Sequence, residues 1–432
     1  ALPDAAERIA LRTALGQSLA ALGRAQEAEA ALEAAAEEAG DAGDPRVLAT
    51  VFFHLAAARV AQGRQAEARA ASERALALFT SQGETRGRAL AVAQLAGIRI
   101  AMGEYVAAAG TLGEELERLH LQPAHTARLA AVIGWAHALQ GSFAEAVRLL
   151  GIAVADRRTA ADPRGLASVL GRLQWAHLGR GEHRRALALV AEARTCFVAA
   201  GDALGQARME MSRGQILTAR GLAAQGVEPL RRSAEALRAA GDVHCEAEAL
   251  WLLGLALTEL GRLDEACPLL TTALARVREV PDRDDEFRVS IDLARLWRFK
   301  GRPAEALALA ERGYEIAAAL GCHDGEGRAL AERAGARRAL GQAQEALADA
   351  EEAVAILERC GSGETWRALH ELALAQEPWQ PALAVATLER SAALLGAVRD
   401  DLDEADRPAF DEVRRPPFAD LARLRVDRTT AR

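Results

Sequence analysis

Nine glycines set the frame for this 432-residue chain. Gly23, Gly63, Gly103, Gly141, Gly181, Gly221, Gly261, Gly301 and Gly341 stand 40 residues apart, with one interval of 38. A period of this length marks an array of stacked supersecondary units, each burying its apolar face on its neighbours. An Ala/Leu-rich run of about four helical turns precedes each glycine and a second run follows it. Glycine closes the first helix of such a hairpin because it takes the left-handed conformation at little steric cost.

The positions around each glycine are constrained as well. Five residues on, the side chain is always small: Ala28, Ala68, Ala108, Ala146, Ala186, Gly226, Ala266, Ala306 and Ala346. Twelve residues on it is small in every repeat but one, where Glu115 stands. Seven residues before, Gln174 is the one exception. Small residues at fixed offsets let two helices approach closely. Breakers end the second helices at Gly40-Asp41, Gly201-Asp202, Gly241-Asp242, Pro281-Asp282 and Gly321, and the Asp residues are expected to cap the helices that follow.

Small residues at these places around a turn glycine carry a resemblance to tetratricopeptide repeats over about residues 1–375. The resemblance implies an all-α, right-handed superhelical solenoid of antiparallel helix pairs, with nine regular repeats over 1–376. A degenerate unit (EPWQPALAVATLERSAALLG) and a terminal cap follow at 377–432, the cap covering an apolar face that an end repeat would expose. The period is longer than the usual one, and the closing proline and the first-helix Tyr of the family are missing. Longer repeats of this kind resemble the regulatory solenoid of MalT-like bacterial transcription activators and related signalling ATPases. ALPDAAERIALRTALGQSLAAL, at the start, already is a first helix, so a partner domain is expected before Ala1; the alternative is a natural start with its Met removed.

Composition narrows the function classes. A net charge of −8 argues against direct nucleic-acid binding, which needs a basic surface to neutralise phosphates. The five cysteines sit singly, without metal-ligand spacing, as small buried hydrophobes of a reducing compartment. No apolar run approaches the roughly 18 residues of a membrane span, and no signal peptide opens the chain, so a cytoplasmic location without membrane contact is expected. Neither a cofactor nor a metal is expected.

Trp-Ala-His occurs in GWAHALQG (134–141) and again in QWAHLGRG (174–181). Residues two apart on a helix lie roughly 200° apart, so Trp135 and His137 face opposite ways. His137 shares a face with the small Gly134 and should be largely buried, with His177 as its equivalent. Without further ligands at a recognisable spacing, the pair reads as packing rather than as a metal site. GSGETW (361–366) and DGEGRA (324–329) echo a phosphate loop, but neither follows a strand, and both read as turns at repeat junctions. RRPPF (414–418) is either an extended docking segment or a rigid connection inside the cap, the latter being simpler.

The resemblance also implies a concave surface lined by positions 13, 10, 6 and 3 before each turn glycine. Phe53, Trp135, Trp175, Met211 and Trp251 fall on it in the first part of the chain. Arg208, Arg288, Arg295, Arg298, Arg328 and Arg338 fall on it mostly later, with Arg128 earlier. An aromatic stretch followed by an arginine-rich one fits a peptide whose anionic group meets the arginines. The expectation is therefore a non-enzymatic module that binds a protein or peptide in its groove, as sensor or scaffold of a bacterial regulator. The alternative is a metabolite-, sugar- or pheromone-sensing domain of a transcriptional regulator. Terminal repeats offer a route to oligomers.

Overall fold

The computed structural model describes residues 4–40, 44–110, 123–160, 162–279 and 283–430; these contain α-helices and no strand. All nine anchor glycines have positive φ, between 70° and 84°, each between two helices. Their amides bond back to carbonyls three residues earlier, as Gly181 does to Leu178 at 2.9 Å. The small offsets meet their purpose too. Ala28, Ala68, Ala108, Ala146, Ala186 and Ala266 have no exposed surface. At Gly254, seven residues before its anchor, a Cβ would come within 2.7 Å of the Leu270 side chain across the hairpin.

Asp202 and Asp242 cap the helices Ala203–Ala219 and Val243–Glu259, accepting from the Gly205 and Cys245 amides at 2.8 and 3.1 Å. Asp44, Glu84 and Asp162 do the same at other junctions. Asp41, Pro281 and Asp282 lie outside the described residues.

The chain forms two compact units, residues 1–137 and 138–432. In the first, the helices Ala5–Ala21, Ala25–Ala39, Pro45–Ala61, Gln65–Ser81 and Thr85–Ala101 pack each on the next. Its largest described core joins Ile9, Leu19, Leu32, Val51 and Leu55. The second continues the pattern from Phe143–Thr159 to Ala343–Cys360. Its core runs through Met211, Leu230, Leu250, Trp251, Leu270 and Leu293.

Pro381–Asp400, the helix inside the degenerate unit, pairs with Thr365–Gln376, which lies before the expected boundary at 377. Two further helices, Arg407–Val413 and Arg415–Thr430, follow. Leu421 and Leu424 pack on the last hairpin at Ala373, Val385 and Leu388. Leu402 and Phe410 share a core with Trp366 and Leu395 of that hairpin and also reach back to Leu217 and Leu222. By length and composition Pro381–Asp400 is apolar enough to cross a membrane, contrary to the sequence expectation; here its buried side packs on the neighbouring helices.

The two phosphate-loop echoes are packing features. Ser362–Glu364 lies in the turn before Thr365–Gln376, after Gly361 closes its helix with φ 63°. DGEGRA is not a turn: it lies inside the helix His323–Ala339, where Gly325 packs under Phe287. Both stretches sit where the second unit closes on itself. The His323 amide donates to the Gln140 carbonyl at 3.2 Å, and the Gly363 amide to the Gly179 carbonyl at 2.8 Å.

A Cβ on Gly363 would stand 2.6 Å from the Cα and amide nitrogen of Gly181, where backbone meets backbone and neither can yield. Gly363→Ala is therefore expected to open this seam. Gly301→Ala, at φ 70° with nothing within 4 Å, should cost only the left-handed strain of about 1–2 kcal/mol. Thermal melts of the two variants check this; equal losses would mean that the seam carries no weight.

Candidate functional site

Closure of the second unit brings the inner faces of its first helices together with the C-terminal helices. Two adjoining cavities result. The larger, about 570 Å³, is lined by the turn at Gly221–Leu222, by Thr258, Glu259, Arg298, Phe299, Trp366, Arg367 and His370, and by Ala409–Pro417 of the tail except Phe410 and Asp411. The smaller, about 100 Å³, lies between Trp175, Trp251, Arg288, Asp292, Arg295 and Arg328 and the seam residues Asp324 and Ser362–Glu364. Glu259 and Arg367 border both.

Glu259, 5% exposed at its side chain, is the hub. Arg367 donates to it at 2.8 Å, Arg295 at 3.4 Å, and Arg414 from the tail makes a short contact. Burial opposes its ionisation, but the three guanidinium groups outweigh burial and hold the carboxyl far below the usual range. Glu364 follows the same balance, with Arg367, Arg328 and Arg295 keeping it down at about 2. Arg295 also donates to Glu332 at 2.6 Å, and Arg298 lies 3.1 Å from both Glu332 and Glu371. Trp251 donates its indole N–H to Asp292 at 2.8 Å. The other Asp292 oxygen has no hydrogen bond and stands 3.5 and 3.7 Å from Arg295 and Arg328. Such buried, under-used oxygens call for water or a polar ligand.

Of the residues placed on the concave face, Trp175, Trp251, Arg288, Arg295 and Arg328 gather around the smaller cavity, and Arg298 lines the larger. Arg338 pairs with Glu371 at 3.1 Å behind it. Met211 is buried in the core, and Arg208 pairs with Asp242 at 2.7 Å, outside both cavities. Phe53 and Trp135 belong to the first unit and are half-buried, as is His137, which is more open than its position suggests. His177 is buried, 2.6 Å from Glu182. Among the described residues no group of three His, Cys, Asp or Glu is placed to hold a metal.

One expectation needs correction. The arginines are not free for an anionic ligand group: Arg288, Arg295, Arg298 and Arg338 each have a carboxylate of this chain. Asp292 and Glu332, which supply much of that charge, both stand nine residues before a turn glycine, a position not counted among those lining the groove. The local part of this pairing is a signal the sequence does contain: Asp284 stands four before Arg288 and Asp292 three before Arg295. RRPPF is no extended segment: Arg414 is the junction of two helices, and Pro416 and Pro417 stand in the first turn of the second, where proline is tolerated.

Residues 245–319 match the tetratricopeptide repeat family model. No curated protein matches the sequence. A solved structure of a Rap protein complexed with Competence and Sporulation Factor aligns over 92% of this chain and 99% of its own, at 15% identity and a TM-score of 0.63. The Rap conjugation gene regulator of the plasmid pLS20, in complex with the Phr* peptide, aligns over 65% of this chain and 78% of its own (13% identity, TM-score 0.52). Aspartyl phosphate phosphatase F from Bacillus subtilis aligns over 82% and 95% respectively (11% identity, TM-score 0.51). At these identities the likeness is one of fold. The matches carry the repeat class, and they do not carry the narrower resemblance to MalT-like activators.

Proposed function

We propose that this tetratricopeptide-repeat chain is a non-catalytic module that binds a peptide in the groove of residues 138–432, as the sensing part of a bacterial regulatory protein. The observation that carries the reading is the 570 Å³ cavity inside a closed coil, within the usual range of ligand sites. Its lining mixes the exposed ring of Phe299 with side-chain donors and acceptors, which suits main-chain amides together with side chains, while Trp366 lies beneath Arg367 and Arg414. The peptide complex of a structural neighbour supports the same reading. A sugar stacked on Trp175 is disfavoured, because Arg288 lies 4.7 Å over that ring and Phe143 packs 5.9 Å from it.

The test is selection from a random peptide library on the full chain, followed by affinity measurement on Phe299→Ala. Phe299 is 49% exposed at the cavity, so its loss should leave folding intact. Selected peptides are expected to bind the variant about tenfold more weakly, which corresponds to about 1.4 kcal/mol. Peptides that bind both forms equally would move the site elsewhere.

A further inference from the structure

The larger cavity has one wall that does not belong to the repeats. It is the helix junction around Arg414, and the Arg414 side chain is 2% exposed. Its guanidinium is received by four features of the solenoid. One nitrogen donates to Glu259. Another donates to the Ala219 and Thr218 carbonyls at 3.1 and 3.3 Å. These are the last carbonyls of the helix Ala203–Ala219, at the negative end of its dipole; that of Thr218 also accepts the Gly221 amide at 3.0 Å. The Trp366 ring lies 4.9 Å away and gives the cation a π face.

Carboxylate, divergent carbonyls and aromatic face together match a planar, multi-donor guanidinium and not the point charge of a lysine. The seat is also exchangeable. Glu259 keeps Arg367 and Arg295 when Arg414 leaves, so no buried carboxylate is stranded. Arg367 stands 4.3 Å from the same ring and repels Arg414.

We propose that Glu259, Trp366 and the Thr218 and Ala219 carbonyls form a guanidinium-recognition slot, that Arg414 fills it as a tethered occupant, and that the peptide ligand carries an arginine which takes its place. The inference rests on the groove reading above and adds the ligand's chemistry. The tail is then a competitor built into the chain: its helices stay anchored through Phe410, Leu421 and Leu424 and through polar contacts such as Gln225 on Asp406 (2.7 Å) and His370 on Asp420 (2.9 Å), so that only the Arg414 side chain has to leave its seat.

The test uses the full chain carrying Arg414→Ala, with Arg414→Lys as a second variant that keeps a charge in the slot. The probes are ethylguanidinium, n-butylammonium, and a synthetic peptide of residues 412–420 (EVRRPPFAD) with and without its Arg414 equivalent replaced by alanine. Ethylguanidinium is expected to raise the melting temperature of Arg414→Ala and not that of wild type, while n-butylammonium leaves both unchanged. The arginine-bearing peptide should bind Arg414→Ala at least tenfold more tightly than wild type, and the alanine peptide should lose that gain. If Arg414→Ala does not fold, the same ratios are read on Arg414→Lys. Equal responses to the two cations, or equal affinity of the two peptides, would overturn the slot. Library peptides that still lost affinity on Phe299→Ala would then leave the groove reading standing, and their indifference to Phe299→Ala would remove that reading independently.

Discussion

Replacing Glu259 by Gln is expected to destabilise the second unit by about 3–5 kcal/mol, the cost of removing one partner from a buried ion pair. The substitution keeps the shape and leaves Arg295, Arg367 and Arg414 around a neutral amide. Urea denaturation measures it, with Glu67→Gln as the control: that carboxylate pairs with Arg64 on the open surface, and its loss should not register. The pH profile gives a second reading. The folded-state pKa values of Glu259 and Glu364 lie below the ordinary 4.5, so their contribution is complete above that value and is lost as pH falls. For Glu364 the loss runs from pH 4.5 to about 2. Wild type should therefore lose stability steeply over this interval, and Glu259→Gln less steeply. Parallel acid profiles would show that the hub carboxylate is not ionised against its three arginines.

Phe410→Ala is expected to cost about 3–5 kcal/mol, the usual price of truncating a buried phenylalanine. The ring has no exposed surface and is enclosed by Leu217, Leu222, Trp366, Leu395 and Leu402. It also lies against Gly221, where a Cβ would meet it at 2.6 Å. The loss should be local. Hydrogen exchange is expected to speed up over residues 401–430, while Val243–Glu259 and Arg283–Phe299 keep their protection, because the hairpins hold each other independently of the tail. Uniform loss of protection across the second unit would mean that the tail is part of its core and no displaceable wall.

The hairpins were legible because their constraint is local. A turn glycine and small residues five and twelve positions on are needed wherever two helices cross closely, and each repeat states them afresh. The inner face was legible only in part. Trp175, Trp251, Arg288 and Arg295 were placed by their distance from a turn glycine, and that distance fixes which way a side chain points. It does not fix what the side chain meets. Glu259 and Arg414 are 155 residues apart, and Gly363 meets Gly181 because the coil returns on itself. Such contacts depend on the small rotation added by each repeat, which the period does not record. The same holds for Leu402 and Phe410: a terminal cap implies the contacts with Trp366 and Leu395 of the last hairpin, and not those with Leu217 and Leu222 on a turn far earlier in the chain.

The most direct test of the central claim is hydrogen exchange of the full chain with and without a library-selected peptide. Binding inside the closed coil predicts slower exchange around the Gly221–Leu222 turn, in the C-terminal turns of Val243–Glu259 and Arg283–Phe299, and in Thr365–Gln376. Residues 401–417 should show a change of their own as the wall accommodates the ligand. Protection confined to residues 4–110, or to the outward second helices, would contradict the account and place recognition outside the groove.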